Sequence, residues 1–368
     1  MRRLLVAAVL AATVAAMPLA VGSGEAAKRP VALLPDPAQS PPKLIQVQAV
    51  PGGGWGIGFL SAVLNAGRGP LTIHGHRDST AQPTMVADQV VARSDGTTAP
   101  VAVGTMQYVA TPTHNHWHLL DFERYELRRA SDAKLVGLSQ KRGFCLTDTA
   151  NDSADKPLPG ERDEPVYREN CGLNEPDRLE VTEGISVGWM DVYDPFREGQ
   201  FVDVTDAPSG RYLVVNRVNF AGRIRELRRS NDASSVLVKL SRPDGKAGKP
   251  VVEKLASCFY SIRCYDRAPR LALRAARRYA RRAAVKTVGR KSGAARAHVR
   301  CHRRAPRRAT CSVRWRKRKV RWAGKVKVAS VLDGGAAAFS YHARIGKRKR
   351  CAFFCDTVRY ERRGFERV

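Results

Sequence analysis

Thr113-His114-Asn115-His116-Trp117-His118-Leu119-Leu120-Asp121-Phe122-Glu123-Arg124-Tyr125 sets three histidines at i, i+2 and i+4. In an extended strand alternate side chains share a face, so all three imidazoles project the same way. The first and last lie about 13 Å apart and neighbouring rings about 6–7 Å apart, close enough to converge on one ion. On a helix the same residues would spread around the surface. Trp117, Leu119, Phe122 and Tyr125 suit a strand, and no helix start signal precedes them. Three neutral imidazoles suit copper or zinc, with copper(II) ahead in intrinsic affinity. The plain alternative is a polar strand face carrying surface histidines. Against it, the chain has only eight histidines and three fall within five positions.

Outward from this stretch, short β-rich segments alternate with turns. The predicted strands are Leu44–Val50, Gly56–Asn65, Thr84–Arg93, Gln107–Thr111, His114–Leu127, Arg211–Asn219 and Ser235–Leu240. Gly52-Gly53-Gly54, Gly67-Arg68-Gly69-Pro70, Ser94-Asp95-Gly96 and Pro208-Ser209-Gly210 punctuate them. No long amphipathic helix is legible before residue 266. The pattern predicts a mainly β fold, an antiparallel β-sandwich-like domain over residues 44–243. Lys28 to Lys43, with five prolines, reads as an extended lead-in, 244–265 as a linker, and the acid-rich stretch from Asp148 to Glu175 as solvated surface.

The ends differ from the middle. Arg2 and Arg3, an apolar run from Leu4 to Val21 and small residues to Ala27 read as a signal peptide over residues 1–27. The run is diluted with alanine and no second apolar span follows, which favours export over an anchor. An exported chain meets an oxidising compartment, so the eight cysteines are expected to pair. Eight allow 105 pairings. Pairing between sequence neighbours is the expectation, with Cys145–Cys171 foremost. Net charge is +30, and residues 265–368 hold 33 Lys and Arg against five Asp and Glu. Within that tail Leu271–Val285 reads as a basic amphipathic helix. Ala297–His302, Thr310–Trp315, Lys325–Val331 and Ala338–Ala343 read as strands. Residues 266–368 are therefore expected to form a small basic α+β C-terminal module. Polybasic surfaces with interleaved tryptophans suit polyanions. Export disfavours intracellular nucleic acid and favours an anionic cell-envelope polymer, with a functionally neutral basic module as the alternative.

Two further stretches carry chemistry: Lys141-Arg142-Gly143-Phe144-Cys145-Leu146-Thr147-Asp148, and Gly184-Ile185-Ser186-Val187-Gly188-Trp189-Met190-Asp191-Val192-Tyr193. Gln200-Phe201-Val202-Asp203-Val204-Thr205-Asp206 and Pro208-Ser209-Gly210-Arg211-Tyr212 follow. With the histidine triplet, five motifs stand in order, and together they resemble the catalytic domain of the lysyl oxidase family. The resemblance runs from Leu33-Leu34-Pro35-Asp36-Pro37 to about Leu240 and leaves out the basic tail.

The resemblance implies copper(II) on His114, His116 and His118, and a lysine tyrosylquinone cofactor built from Lys141 and Tyr193. It implies a secreted or envelope-associated oxidase that takes a primary amine and dioxygen. Animal members carry a further histidine shortly after the triplet, a candidate proton-abstracting base. Arg124 stands at that place, and a guanidinium cannot accept a proton. Asp121 and Asp191 are the remaining candidates. Asp203 and Asp206 read either as turn residues or as supports of the site, and His74-Gly75-His76 as a polar turn. The alternative function is a non-catalytic, metal-binding exported protein that binds anionic envelope polymers through its tail.

Overall fold

A computed structural model describes residues 29–111, 114–151, 157–168, 170–318, 320–333, 335–349 and 357–367; the side chains of His114, Arg348, Lys349, Thr357 and Arg367 fall outside the description. The expected signal peptide, part of the Asn151-Asp152-Ser153 loop, and Cys351 and Cys355 lie outside the described residues.

The fold is mainly β and its named ladders are antiparallel, as the period-2 patterning predicts. Before the basic tail the described residues form three sheets. The long strand Trp55–Asn65 is the hub of the first, pairing with Trp189–Tyr193, Phe201–Asp203, Lys43–Ala49 and Pro37–Gln39. The second runs from Gly143–Phe144 through His114–Leu120 and Thr98–Thr111 to Glu180–Ile185. The third holds Glu123–Arg129 beside Gly210–Val218 and Ala233–Ser241. Their inner faces share one apolar core, in which Phe59, Trp117, Tyr125 and Phe144 are among the largest fully buried side chains. Aromatic edges meet there in series: Phe59 to Tyr125 at 5.0 Å, Tyr125 to Phe144 at 5.9 Å, and Phe144 to Tyr193 at 5.5 Å. Truncating one such ring costs about 3–5 kcal/mol, so the array fixes the site as well as the fold.

Three expectations change. His114–Leu127 is two strands, broken at Asp121, whose φ of 62° turns the chain from the second sheet into the third. The lead-in contains an edge strand, Pro37–Gln39, where the prolines tolerate an unpaired side. The stretch expected as a linker holds Val251–Cys258, which pairs with Ala233–Ser241. Disulfides join Cys145–Cys171, Cys258–Cys264 and Cys301–Cys311, each pairing sequence neighbours as expected.

The tail is one helix on one face of a five-stranded meander: His298–Ala305, Arg308–Lys317, Val320–Asp333, Ala336–Lys349 and Thr357–Arg367. The helix, Leu273–Val288, buries Ala276, Tyr279, Ala280, Ala283 and Ala284, a stripe at i, i+3, i+4 spacing. Alanines let it sit close to the sheet, and Tyr279 stacks on Phe339 at 3.9 Å. It ends at Gly289, whose φ of 80° suits glycine and whose N–H donates to the Val285 carbonyl. Among the described residues no helix is long and apolar enough to cross a membrane.

Candidate active site

In the strand His114–Leu120 alternation turns Trp117 and Leu119 into the core and His116 and His118 to the other side. Pairing with Thr98–Thr111 holds this register: His118 opposite Gln107, His116 opposite Val109, His114 opposite Thr111. The His116 and His118 Nε2 atoms approach to 2.7 Å, with ring centroids 4.6 Å apart. Two ligands bound at about 2.0–2.1 Å and at right angles to one another would have nitrogens about 2.9 Å apart, so the pair is nearly set for one ion. Gly143 lies against the other side of the His118 ring; a Cβ there would stand 2.6 Å from Nδ1, so glycine is what lets the imidazole sit. An imidazole donor set of this kind fits copper(II).

Lys141 and Tyr193, 52 positions apart in sequence, come together. Lys141 Nζ lies 4.9 Å from the Tyr193 ring centroid and 5.2 Å from that of Phe144. It donates to the Glu198 carbonyl at 3.4 Å. The buried Tyr193 hydroxyl donates to the Cys145 carbonyl at 2.7 Å. Lys141, His118, Gly143, Glu198 and Phe201 line one open cleft of about 310 Å³, so one histidine of the triplet and the lysine face the same space.

The two motifs are fastened to each other just behind that cleft. Asp148 ends the first, and Ser186 lies in the second. The Ser186 N–H donates to Asp148 Oδ1 and its hydroxyl to Oδ2, both at 2.7 Å, and the Val166 and Tyr167 N–H groups donate to Oδ2 as well. Thr149 bonds Met190 and Val192 of the tyrosine strand. The Asp148–Glu175 stretch is therefore more than solvated surface: it supplies Cys171 to the disulfide, and the Trp189 indole donates to its Arg162 carbonyl.

Beneath the lysine and tyrosine lies a buried acidic layer. Ser61, paired opposite Tyr193, accepts hydrogen bonds from Gln39 and Asn216, which commits its own proton to Glu123 Oε2 at 2.6 Å. Burial pushes the Glu123 carboxyl up to about 7, with Ser61, Gln39 and Lys141 pulling the other way. Burial, then the Glu123 charge, raises Asp191 well above the carboxylate range. Burial and then Asp191 do the same to Glu183. Tyr193 is raised by burial and then by Asp191. Lys141 is brought down to about 8 by burial, against the pull of Glu123, Asp191 and Glu198. Asp191 Oδ2 and Glu123 Oε1 find no hydrogen-bond partner among the described residues. The site thus holds a lysine readily deprotonated and acids readily protonated, the condition in which protons move near neutral pH.

Of the two candidate bases, Asp191 lies in this layer, two residues before Tyr193 on the same strand face. Asp121 is at the turn, ion-paired with Arg142 at 2.8 Å. Arg124 points to the opposite face, bonded to Glu126 and stacked on Phe220. Asp203, which ends the strand Phe201–Asp203, accepts from the Thr205 N–H, and Asp206, in the turn that follows, pairs with the exposed Lys246. His74 and His76 lie in a strand, not a turn, with rings stacked at 5.7 Å. Sequence reasoning missed Glu123, Tyr125 and Glu183. The signal for Glu123 was its place in line with Tyr125 and Leu127, an acid on an apolar strand face.

The sequence profile of the lysyl oxidase family matches residues 86–244. Chicken (Gallus gallus) protein-lysine 6-oxidase is 31% identical over 121 residues, 32% of this chain and 24% of that one. Human (Homo sapiens) lysyl oxidase homolog 1 is 30% identical over 107 residues, 29% of this chain and 16% of its own. The pig (Sus scrofa) protein-lysine 6-oxidase is 30% identical over 120 residues, covering 41% of its length. This chain thus spans less than half of each of these relatives. Residues 86–244, which contain the histidine strand, Lys141 and Tyr193, are thus the part of the chain that is similar to the lysyl oxidase family.

Proposed function

We propose that the chain is a secreted copper and quinone amine oxidase, converting primary amines, as peptidyl lysine or small amines, to aldehydes. The amine, dioxygen and water give an aldehyde, ammonia and hydrogen peroxide, two electrons passing from the amine carbon to oxygen. The observation that carries the reading is Lys141 Nζ 4.9 Å from the Tyr193 ring in a cleft that His118 also lines. His114, His116 and His118 would hold copper(II), and Lys141 and Tyr193 would form the lysine tyrosylquinone. That group supplies an electrophilic carbonyl, which no ordinary side chain offers.

The chain's own residues do the rest. The Cys145 carbonyl holds the Tyr193 oxygen, and Phe144 packs its edge against the ring. Lys141 reaches the amine form at mildly alkaline pH because the interior disfavours its charge. Asp191, on the strand face that carries Tyr193, is the candidate to take a proton from a substrate carbon, a role open only to its ionised form, which burial disfavours.

The test is intact mass and visible absorption of the chain produced with copper, beside Lys141→Ala. A quinone band with the matching mass change, absent from the variant, is expected. A colourless, fully copper-loaded protein with unmodified Tyr193 would leave the second reading, a non-catalytic metal-binding exported protein. In either reading residues 266–368 take an anionic cell-envelope polymer as partner, on net charge alone.

A further inference from the structure

The helix Leu273–Val288 covers one face of the tail sheet and leaves the other open. Strand register assigns each side chain. Cys301, Cys311, Val326 and Ala343 stand in one cross-strand row on the helix side. The next row, on the open side, reads Arg300, Ser312, Lys325, Arg344, Glu361, and the one after it His302, Thr310, Lys327, His342, Arg363. Arg308, Ala329, Ser340 and Phe365 follow. Arg314 and Arg359 flank the other end of the face. In the two rows beside the cysteine row Glu361 is the one carboxylate, and it engages His342 and Arg344, while Asp333 lies on the same face at the far end of its strand.

The face is concave where its side chains are small. Thr310, Ala329 and Ser340 floor a basin of about 640 Å³, rimmed by Arg304, Arg308, Lys327 and Arg363. Rows repeat at about 4.8 Å across strands and about 6.8 Å along them, a cationic grid and not one point charge. Forked guanidiniums with hydroxyls on the floor suit tetrahedral phosphate oxygens. The tail tryptophans are not available to bases: Trp315 and Trp322 stack on each other at 5.4 Å on the helix side, both nearly buried. A second copy of this face would meet it with like charge.

We infer that the open face of the tail sheet binds a linear phosphodiester polymer of the poly(glycerol phosphate) kind, with one phosphate seated in the Thr310–Ser340 basin. The inference rests on reading the tail as a polyanion-binding module and is independent of the oxidase reading.

The test titrates the full chain with fluorescent poly(glycerol phosphate) over a range of salt. Binding should weaken with salt, and the Arg308→Ser, Lys327→Ser, Arg363→Ser triple variant should lose about tenfold or more and flatten the logarithmic salt slope by about two, near 0.7 per lost phosphate contact. A control triple on the outer side of the helix, Arg274→Ser, Arg277→Ser and Arg281→Ser, removes equal charge and should stay within about twofold. Glu361→Gln, which keeps shape and removes the acid beside the basin, should bind more tightly and needs no stable triple variant. If the helix triple weakens binding as much as the sheet triple, this face is not the site, although the tail would still bind polyanions. If the unaltered chain shows no salt-sensitive binding, both readings fall. Tighter binding to poly(dT), or equal binding to polyglutamate, would overturn the choice of polymer.

Discussion

The site beneath the histidine strand and the open face of the tail sheet use the same alternation to opposite ends. In the first, Glu123, Glu183 and Asp191 point inward among aromatic rings, and their carboxyls are pushed up. In the second, a far larger number of arginines and lysines point outward into solvent. Desolvation makes reactivity out of a few charges; exposure makes a field out of many. Net charge, the loudest feature of the sequence, therefore says nothing about where chemistry happens.

The comparison breaks most visibly if the buried pair is altered. Lys141→Arg keeps the positive charge and removes the nucleophilic amine, and Tyr193→Phe removes the oxygen to be oxidised. Each should reduce amine-dependent hydrogen peroxide to background while the thermal midpoint falls only slightly. A quinone band in Lys141→Arg would show that charge, not the amine, is what the site needs. Next comes Asp148→Ala. It strands four donors, two on Ser186 of the tyrosine motif and two on Val166 and Tyr167 of the intervening stretch, and should cost about 3–5 kcal/mol, since hydrogen bonds to a buried carboxylate are worth about 1.5–3 kcal/mol each and do not add fully. Chemical denaturation measures this, and a loss under about 1 kcal/mol would mean that the Thr149 bonds to the tyrosine strand hold the two segments without it.

Glu123 sharpens the same contrast by pH. Its folded value, about 7, lies above its ordinary 4.5. The protonated form is therefore favoured by folding, and its contribution, complete below about 4.5, is lost as pH rises towards 7. That is up to about 3 kcal/mol, which Glu123→Gln should remove, flattening stability between those pH values. Lys141 runs the other way in charge: folding favours its neutral amine, and Glu123 opposes this. The rate at which copper-loaded protein develops colour should rise with pH through about 8, and Glu123→Gln should move that rise to lower pH. A shift to higher pH would mean that Glu123 does not act on the lysine.

The strand alternation that puts His116 and His118 on one face was legible in His114-Asn115-His116-Trp117-His118, because period 2 is a local property. The tail helix was legible for the same reason, in the 3.6 period of its alanines. The break at Asp121 was only half legible. Leu119 and Phe122 are three apart, which interrupts the alternation, but a single positive-φ residue leaves no stronger mark. The last strand, Thr357–Arg367, escaped because its charges hide the alternation of Tyr360 with solvated neighbours. Least legible was the Asp148–Ser186 clasp, since a contact between residues 38 positions apart depends on which sheets meet. The meeting of Lys141 with Tyr193 likewise depends on which sheets meet, which is why motif order could suggest it and only the fold could place it.

A smaller effect tests the fit of the metal face. Gly143→Ala puts a Cβ 2.6 Å from His118 Nδ1. The ring must rotate or the short Gly143–Phe144 strand must shift, and copper affinity should fall about 10- to 100-fold, the loss usual when the support of a ligand is disturbed. Competition with a chelator reads it directly, without any need for turnover. If affinity is unchanged, His118 is not a ligand in the arrangement described. The smallest effect belongs to the other region. The Arg308→Ser, Lys327→Ser, Arg363→Ser variant removes three cations from a face that buries none of them deeply. Surface charges of this kind are worth about 0–1 kcal/mol each, and here they repel one another, so the thermal midpoint should hold or rise. Copper loading and amine turnover should not change at all. A fall in turnover with small soluble amines would mean that the tail field reaches the cleft, and the two regions would no longer be separate in function.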